Sequence, residues 1–360
     1  MKDCVIVGGG VIGMLTAREL VQKGAHVTLV ERGRLGAESS WAGGGILAPL
    51  YPWRHPAAIS DLAAWSQTRY PQLCQSLLEV TGIDPEWTRS GLLILDAAER
   101  LEAVQWTGRY NMRIEMLDQD AIMRAEPQLA KHFATAVILP EMAQVRNPHL
   151  VSALQRELVK SAVTIIENAA VTALHMKDGR MTGVQTSSGK IDAGHVVIAG
   201  GAWSGAILKE LNITQDVEPV RGQMLLYHAG PGLISHVIVE QGYYIIPRRD
   251  GHILVGSTVE YEGFDKSTTT AAATELQQVA VSLVPDLGKH EIKRHWAGLR
   301  PGTATGMPYI GAHPFIEGLF VNTGHYRNGL LLGPASARLL VDLMMGDTPI
   351  VDPVPYNLVR

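Results

Sequence analysis

Two polar helix entrances stand at opposite ends of this sequence, and each has residue types suited to holding an anionic or flat ligand. The first is "GGGVIG", which sets Gly8, Gly10 and Gly13 in a G-x-G-x-x-G pattern between an apolar strand, "CVIVG", and a helix from Val11 to Lys23. In that pattern one glycine allows the tight turn, the next lets backbone approach a pyrophosphate, and the third lets the helix pack on the sheet. A phosphate there meets unpaired N–H groups. Glu31 ends the second strand, "HVTLVE", about 20 residues on, where a carboxylate accepts from a ribose hydroxyl and disfavours a 2′-phosphate. The second entrance is "GHYRNGLLLG", Gly324–Gly333, ahead of an apolar helix running from Leu330 to Met345.

The fingerprint reads as dinucleotide binding and leaves NAD and FAD both open. The stretch "ESSWAGGGILAP" adds two hydroxyls, Ser39 and Ser40, and three successive glycines that permit close backbone approach to a flat or phosphorylated ligand. Taken alone it reads equally well as a surface loop with a capping serine.

Other chemistries find little support. Net charge is -4 with mixed signs and no long basic run, which argues against nucleic acid. The thirteen histidines include no HExxH pair, and His290 and His295 read as a solvated face of a charged strand, so no metal site is expected. "GAWSG" has Ala202 where a nucleophile elbow needs glycine. Cys4 and Cys74 are too few for a thiolate cluster and read as small core residues.

A chain of 360 residues, 46% hydrophobic and 18% charged, can bury two substantial cores. No apolar run reaches the roughly 18 residues of a spanning helix, and no charged leader precedes "CVIVGGG". A cytoplasmic enzyme without a membrane span is the expectation. The β-α-β opening predicts a doubly wound parallel sheet. Helices are expected over Ala57–Val80, Ala97–Trp106, "TAAATELQQVAVSLV" and from Asn147, the last with Asn147 as cap and Pro148 in its first turn. Strands are expected at "SGLLILD", "VTIIEN", "VTALHM", "HVVIAGG", "PVRGQMLLYH", "HVIVEQGYYIIPRRDGHILVGST", "EIKRHWAGL" and "GLFVNTGH". Turns are read at Lys177-Asp178-Gly179, Ser188-Gly189 and Arg249-Asp250-Gly251. The layout is α/β at both ends and in the middle, with two insertions that form an antiparallel sheet.

The fingerprint with Glu31-Arg32, "SSWAGGG", "VVIAGGAWS", "YYIIPRRDGHILVGST", "WAGLRPGT", "MPYIG" and "GHYRNGLLL", in this order, resemble the glycine oxidase branch of the D-amino-acid oxidase (DAO) family of FAD-dependent flavoproteins. The likeness covers nearly the whole chain. It implies an FAD-binding Rossmann-like (GR2-type) domain, discontinuous over 1–80, 140–217 and 301–360, and a mainly antiparallel α+β substrate domain over 81–139 and 218–300. It implies non-covalent FAD, because covalent relatives attach the flavin through a late cysteine and none follows Cys74.

By position the resemblance assigns Gly8, Gly10, Val11, Ile12, Gly13, Glu31, Arg32, Ser39, Ser40, Gly44, Gly45, Ile46 and the Val171 backbone to FAD. His325, Tyr326, Arg327, Asn328, Gly329, Leu330 and Leu331 would lie against the flavin, where helix-start N–H groups favour the charge of its reduced form. Arg300 would bind the substrate carboxylate, with Tyr244 and Arg327 around the same pocket; a guanidinium offers a bidentate fork for that group. The local sequence alone reads Arg300 as a solvent-facing arginine at a strand end. Tyr243 and Tyr244 must face opposite sides of their strand, so one alone serves the pocket. Gly242, Ile46 and Val259 fall where pocket-lining residues vary in the family.

The implied reaction is oxidation of glycine, sarcosine or a small D-amino acid by hydride transfer from Cα to flavin N5. The products would be a 2-oxo acid such as glyoxylate, ammonia and, with dioxygen, hydrogen peroxide. A supply of glycine imine for thiamine biosynthesis and a homo-oligomeric state are implied too. The alternatives are a D-amino-acid dehydrogenase that reduces a quinone and a non-catalytic NAD-binding module.

Overall fold

The computed structural model describes residues 3–95, 98–209 and 216–358. The chain begins with strand β1 (Cys4–Val7), helix α1 (Val11–Gln22) and strand β2 (Val27–Val30). The short α2 (Ser39–Ala42) and the long α3 (Ala57–Thr81) follow, the latter stopped by Gly82 at a φ of 74°. Next come β3 (Leu92–Ile94), α4 (Arg100–Tyr110), β4 (Glu115–Asp118), α5 (Gln119–Ala125) and β5 (Thr135–Leu139). Then α6 (Asn147–Val159) leads to β6 (Thr164–Ile166), β7 (Val171–Lys177), β8 (Arg180–Thr186), β9 (Gly189–Asp192), β10 (His195–Ile198) and α7 (Ser204–Lys209). The last part holds β11 (Glu218–His228), β12 (Val237–Glu240), β13 (Tyr243–Pro247), β14 (His252–Gly256) and α8 (Thr270–Leu283). It closes with β15 (Ile292–Gly302), β16 (Tyr309–Ala312), β17 (Leu319–Thr323) and α9 (Gly329–Met345).

The strands form three sheets, in a mixed α/β fold. The first has the order β16-β17-β10-β1-β2-β6 and is parallel except for its β16 edge. Its central strands are mostly apolar because both faces are covered. Cys4 and Ile6 enter the core under α1, α3, α6 and α9, while Val5 and Val7 enter the core beneath the β7-β8-β9 sheet. The topology puts the starts of α1 and α9 side by side: β1 neighbours β10, which neighbours β17, and each helix follows its strand directly.

The second sheet has the order β15-β11-β14-β13-β12-β3-β5-β4, antiparallel but for the β12–β3 pair. It draws strands from residues 92–139 and 218–302, and the first sheet draws its strands from 4–30, 164–198 and 309–323. One face of the second sheet packs under α8 through Leu225, Ile245 and Val255. The other carries Met224, Tyr244 and Ile246 toward the segment after β2, where Ala48 and Tyr51 meet them.

Several sequence expectations are corrected. Arg146, in extended backbone, is the cap of α6; Asn147 is the first helical residue, and its Nδ2 donates inward to the Ser40 carbonyl at 3.2 Å. The helix expected over 97–106 runs later, from Arg100 to Tyr110; Ala97, and Asp96 of the strand before it, lie outside the described residues. His295 is not on a solvated face: it is half-buried, its Nε2 meets no hydrogen-bond partner, and burial lowers its pKa. Cys4 and Cys74 are buried, as read from the sequence, and burial pushes both thiols up to about 12, which disfavours the thiolate form. Among the described residues no helix is long and apolar enough to cross a membrane, and no group of three or more His, Cys, Asp and Glu is placed to hold a metal.

Gly13 fixes how closely α1 approaches β1. A Cβ added there would stand 1.9 Å from the Gly8 carbonyl oxygen. Gly13→Ala must therefore push strand and helix apart, and we expect it to lower unfolding free energy by about 1–3 kcal/mol, read from urea denaturation.

Candidate active site

A cavity of about 750 Å³ runs from the end of β2, past the start of α1, to the inner face of the second sheet. At its far end lie Glu31 and Arg32. Glu31 Oε2 accepts from the Gly9 N–H at 2.8 Å and Oε1 from the Gly33 N–H at 2.9 Å, which holds the carboxylate at the cavity edge. Arg32 stacks over the Trp203 ring, 3.5 Å from its centroid, and pairs with Glu38 at 2.9 Å. Gly8, Gly10, Val11 and Ile12 form the next part of the wall. The Ser40 hydroxyl accepts from the Val11 N–H at 2.9 Å and so ties the loop after β2 to the start of α1.

Ser39, Ser40, Gly44, Gly45 and Ile46 line the middle, opposite Val171. At Gly44 and Gly45 this stretch has no room for side chains. A Cβ on Gly44 would come within 2.7 Å of Ile246 Cδ1, and one on Gly45, whose φ is 78°, within 2.0 Å of the Val145 carbonyl. Beneath it, the buried Arg248 donates to the carbonyls of Gly44 and Val145 and to Gln144 Oε1, at 2.7, 2.8 and 2.6 Å. Burial brings that guanidinium down to about 10. Its hydrogen bonds satisfy the loop's carbonyls.

The near end gathers the cations. Arg300 Nη1 donates to the carbonyls of Arg221 and Thr258 at 3.3 and 3.1 Å, and Nη2 to Ser257 Oγ at 2.6 Å. Gly222 makes room for it, since a Cβ there would touch Arg300 Nη2 at 2.1 Å, and Gly256 makes room for Tyr244, whose ring a Cβ would touch at 2.7 Å. Desolvation lowers the Arg300 pKa, Arg327 adds to that, and Tyr244 opposes it. Arg327 Nη2 donates to the Gly242 carbonyl at 2.9 Å. Among the described residues no carboxylate pairs with Arg300 or Arg327. His55, on the same wall, has its pKa lowered by burial and further by Arg327 and Arg54.

Tyr244 lines the cavity, while the Tyr243 hydroxyl donates to Glu275 of α8 at 2.6 Å on the opposite face. His325, Tyr326, Arg327, Asn328, Gly329 and Leu330 also line it, at the start of α9. Tyr326 takes a φ of 49° and donates its N–H to the Pro301 carbonyl, which joins this entrance to the end of β15. Two assigned residues stand elsewhere: Gly13 is at the α1–β1 contact, and Leu331 is in the core under the first sheet. Of the variable positions, Ile46 and Gly242 line the cavity; Val259 is exposed, on a separate cavity of about 420 Å³ that shares Gly242 and Arg327.

Sequence reasoning left out Trp203, Arg248 and Tyr51. The first two stood inside quoted motifs without a role. Tyr51 accepts the Gly242 N–H on its hydroxyl at 3.3 Å, across 191 residues, and nothing local announces such a pairing.

FAD fits this cavity by the chemistry of its walls. A carboxylate stands at the end where a ribose would lie, a helix start and glycine-only backbone flank the middle, and a second helix start faces the cations.

His325 is buried, hydrogen-bonded to Ser336 Oγ at 2.9 Å, and burial brings it down to about 3. An unfolded histidine takes its proton near 6.5, so the unfolded chain binds more protons as pH falls from there toward 3. Stability is then lost as pH falls, by up to about 1.4 kcal/mol per pH unit from this group. Denaturation of His325→Gln at pH 7 and pH 5 should show a correspondingly shallower loss than the parent chain.

Residues 3–343 match the model of the FAD dependent oxidoreductase (DAO) family. The chain is 48% identical over 353 residues to a glycine oxidase of Pseudomonas aeruginosa, covering 98% of this chain and 97% of that protein. It is 33% identical over 350 residues to a Nostoc protein named Bifunctional protein ThiO/ThiG, covering 96% of this chain and 53% of that one. The crystal structure of glycine oxidase from Geobacillus kaustophilus superposes with a TM-score of 0.95 at 31% identity, over 100% of this chain and 98% of the other. With the motifs, the cavity and these likenesses in agreement, the chain belongs to the DAO family of FAD-dependent oxidoreductases and is an FAD-dependent enzyme.

Proposed function

We propose that this enzyme is an amino-acid oxidase that converts glycine, and with it sarcosine and small D-amino acids, to a 2-oxo acid, ammonia and hydrogen peroxide. The observation that carries the reading is the Arg300 guanidinium, seated on three oxygen acceptors, lacking a carboxylate partner among the described residues, and lining the cavity that the dinucleotide fingerprint opens. A substrate carboxylate supplies the missing anion. The fork of Arg300 takes it bidentately, and Tyr244 and Arg327 border the same space.

Bound FAD would supply the hydride acceptor for the substrate α-carbon and the route for the electrons to dioxygen. The chain's part is orientation and electrostatics. Fixing the carboxylate on Arg300 aims the α-carbon at the middle of the cavity, which converts an encounter into a near-attack geometry. The cations favour the neutral amine, because an ammonium beside Arg300 and Arg327 meets like charge and a desolvated wall. No carbon-bound proton needs a protein base. Water then hydrolyses the imine product, and for glycine the sum is glycine, dioxygen and water giving glyoxylate, ammonia and peroxide.

The start of α9 is read as the support for the reduced ring, through N–H groups that cannot titrate. The start of α1, with Ser39, Ser40 and Glu31, is read as the dinucleotide grip. In this reading 1–80, 140–217 and 301–360 form the cofactor module, and 81–139 with 218–300 the substrate module. The name of the Nostoc relative, bifunctional and about twice as long, supports a use of the imine in thiamine biosynthesis.

The test is anaerobic mixing of the FAD-loaded protein with glycine while flavin absorbance is followed, then admission of air with peroxide measured. Wild type should bleach and then release peroxide. Arg300→Ala should lose about 10- to 150-fold in kcat/KM, the equivalent of one charged hydrogen-bonded contact of about 1.5–3 kcal/mol. Equal bleaching by the variant at the same glycine concentration would refute the anchor, and a reduced flavin indifferent to air would identify a dehydrogenase.

A further inference from the structure

Arg300 sits on an edge strand, and what holds its guanidinium in place is backbone. Two of its three acceptors are the Arg221 and Thr258 carbonyls, and the third is Ser257 Oγ. Ser257 and Thr258 begin a segment that carries no strand or helix before α8, and 261–268 are exposed throughout. Such a segment needs a fastening if its oxygens are to stay within hydrogen-bond range.

That fastening is a second arginine. Arg221 is buried, and in register it follows Val220, which pairs with Arg300; its side chain therefore leaves β11 on the opposite face. There its Nε and Nη2 grip Glu260 Oε2 at 2.9 and 2.6 Å, and Nη1 reaches Asp265 Oδ2 at 2.7 Å. The backbones of the same two residues exchange hydrogen bonds, Arg221 N–H to the Glu260 carbonyl at 2.8 Å and Glu260 N–H to the Arg221 carbonyl at 3.0 Å. The Arg221 carbonyl thus receives both Glu260 and Arg300. Glu260 Oε1 also accepts from Thr258 Oγ1 and from Gln223 Nε2, and the Gln223 N–H donates back to Thr258 Oγ1 at 2.9 Å. Each oxygen under Arg300 is therefore tied, within two residues, to the Glu260 carboxylate.

We propose that the buried Arg221–Glu260 pair positions the carboxylate anchor: it locks the strand and segment whose carbonyls orient Arg300, and it does so without touching substrate or cofactor. The inference rests on the reading of Arg300 as the anchor. Glu260 and Arg221 are positioning residues, and neither lines the main cavity. Removing the charge of Glu260 loosens the Arg221 guanidinium and Thr258 Oγ1 together, so the segment that supplies the Thr258 carbonyl and Ser257 Oγ loses its fastening and Arg300 its alignment, while the residues read as holding FAD are untouched.

The experiment uses FAD-loaded protein and acetate, a carboxylate with no amine to oxidise, whose binding is followed by the change in flavin absorbance. Glu260→Gln and, as a second variant that keeps the charge but not the fork, Arg221→Lys should each weaken acetate about fivefold or more. Glycine KM should rise by the same factor with kcat within about twofold, and the Kd for FAD should not change. On an Arg300→Lys background, Glu260→Gln should add no further loss of acetate affinity. Unchanged acetate affinity and KM, with only a lower Tm, would make the pair merely structural and overturn the proposal; so would a full additive loss on the Arg300→Lys background. If Arg300→Ala itself binds acetate like wild type, the anchor reading fails and this inference falls with it.

Discussion

A guanidinium held in a cavity with no carboxylate paired to it among the described residues is the constraint around which this site is arranged. Removing a cation from water is costly unless hydrogen bonds replace its hydration. For Arg300 those replacements are two carbonyls and a hydroxyl, and room for them exists because Gly222 has no side chain. Arg327 adds a second positive charge that deepens the deficit. On the proposed reading, the substrate carboxylate supplies the anion that these two cations lack among the described residues. The two faces of the second sheet divide the labour: the inner one presents Arg300 and Tyr244, and the outer one packs α8 and holds the Arg221 network.

The first sheet answers a different demand, that of a long ligand needing contacts from distant parts of the chain. Parallel strands all deliver their following segments to one edge, so β1, β10 and β17 bring the fingerprint, the Trp203 segment and the start of α9 to a single cavity. Close packing maintains the arrangement. A Cβ on Gly333 of α9 would come within 2.9 Å of Leu15 Cδ1 of α1, so the two helices carry their entrances at a fixed spacing. Arg248 joins the two sheets by reaching from the end of β13 to the glycine loop.

Much of this was legible because local sequence and tertiary role agree. Continuous apolar strands announced the buried parallel sheet, and strand parity alone placed Tyr243 and Tyr244 on opposite faces. The glycine pattern with Glu31 located one end of the cavity. What escaped was built from contacts that leave no local pattern. β4 alternates half-buried and exposed residues at a sheet edge, so little apolar periodicity marks it, and β5 is a five-residue buried run whose type periodicity alone does not fix. Asn147 looked like a helix cap because asparagine before proline often is one; a buried carbonyl across the fold claimed its amide instead. Arg248 and Arg221 read as turn and strand arginines, since their partners lie 39 to 204 residues away.

The cofactor-facing wall is assembled from the chain's opening residues, its centre and α9, which closes at Met345. During synthesis β1 and β2 precede the strands that complete their sheet, because β10 begins only at His195 and β17 at Leu319. Until α9 leaves the ribosome, a nascent chain has one helix entrance without its counterpart and an apolar sheet edge exposed to neighbours. The wall of the cavity is thus complete only once the start of α9 has been made.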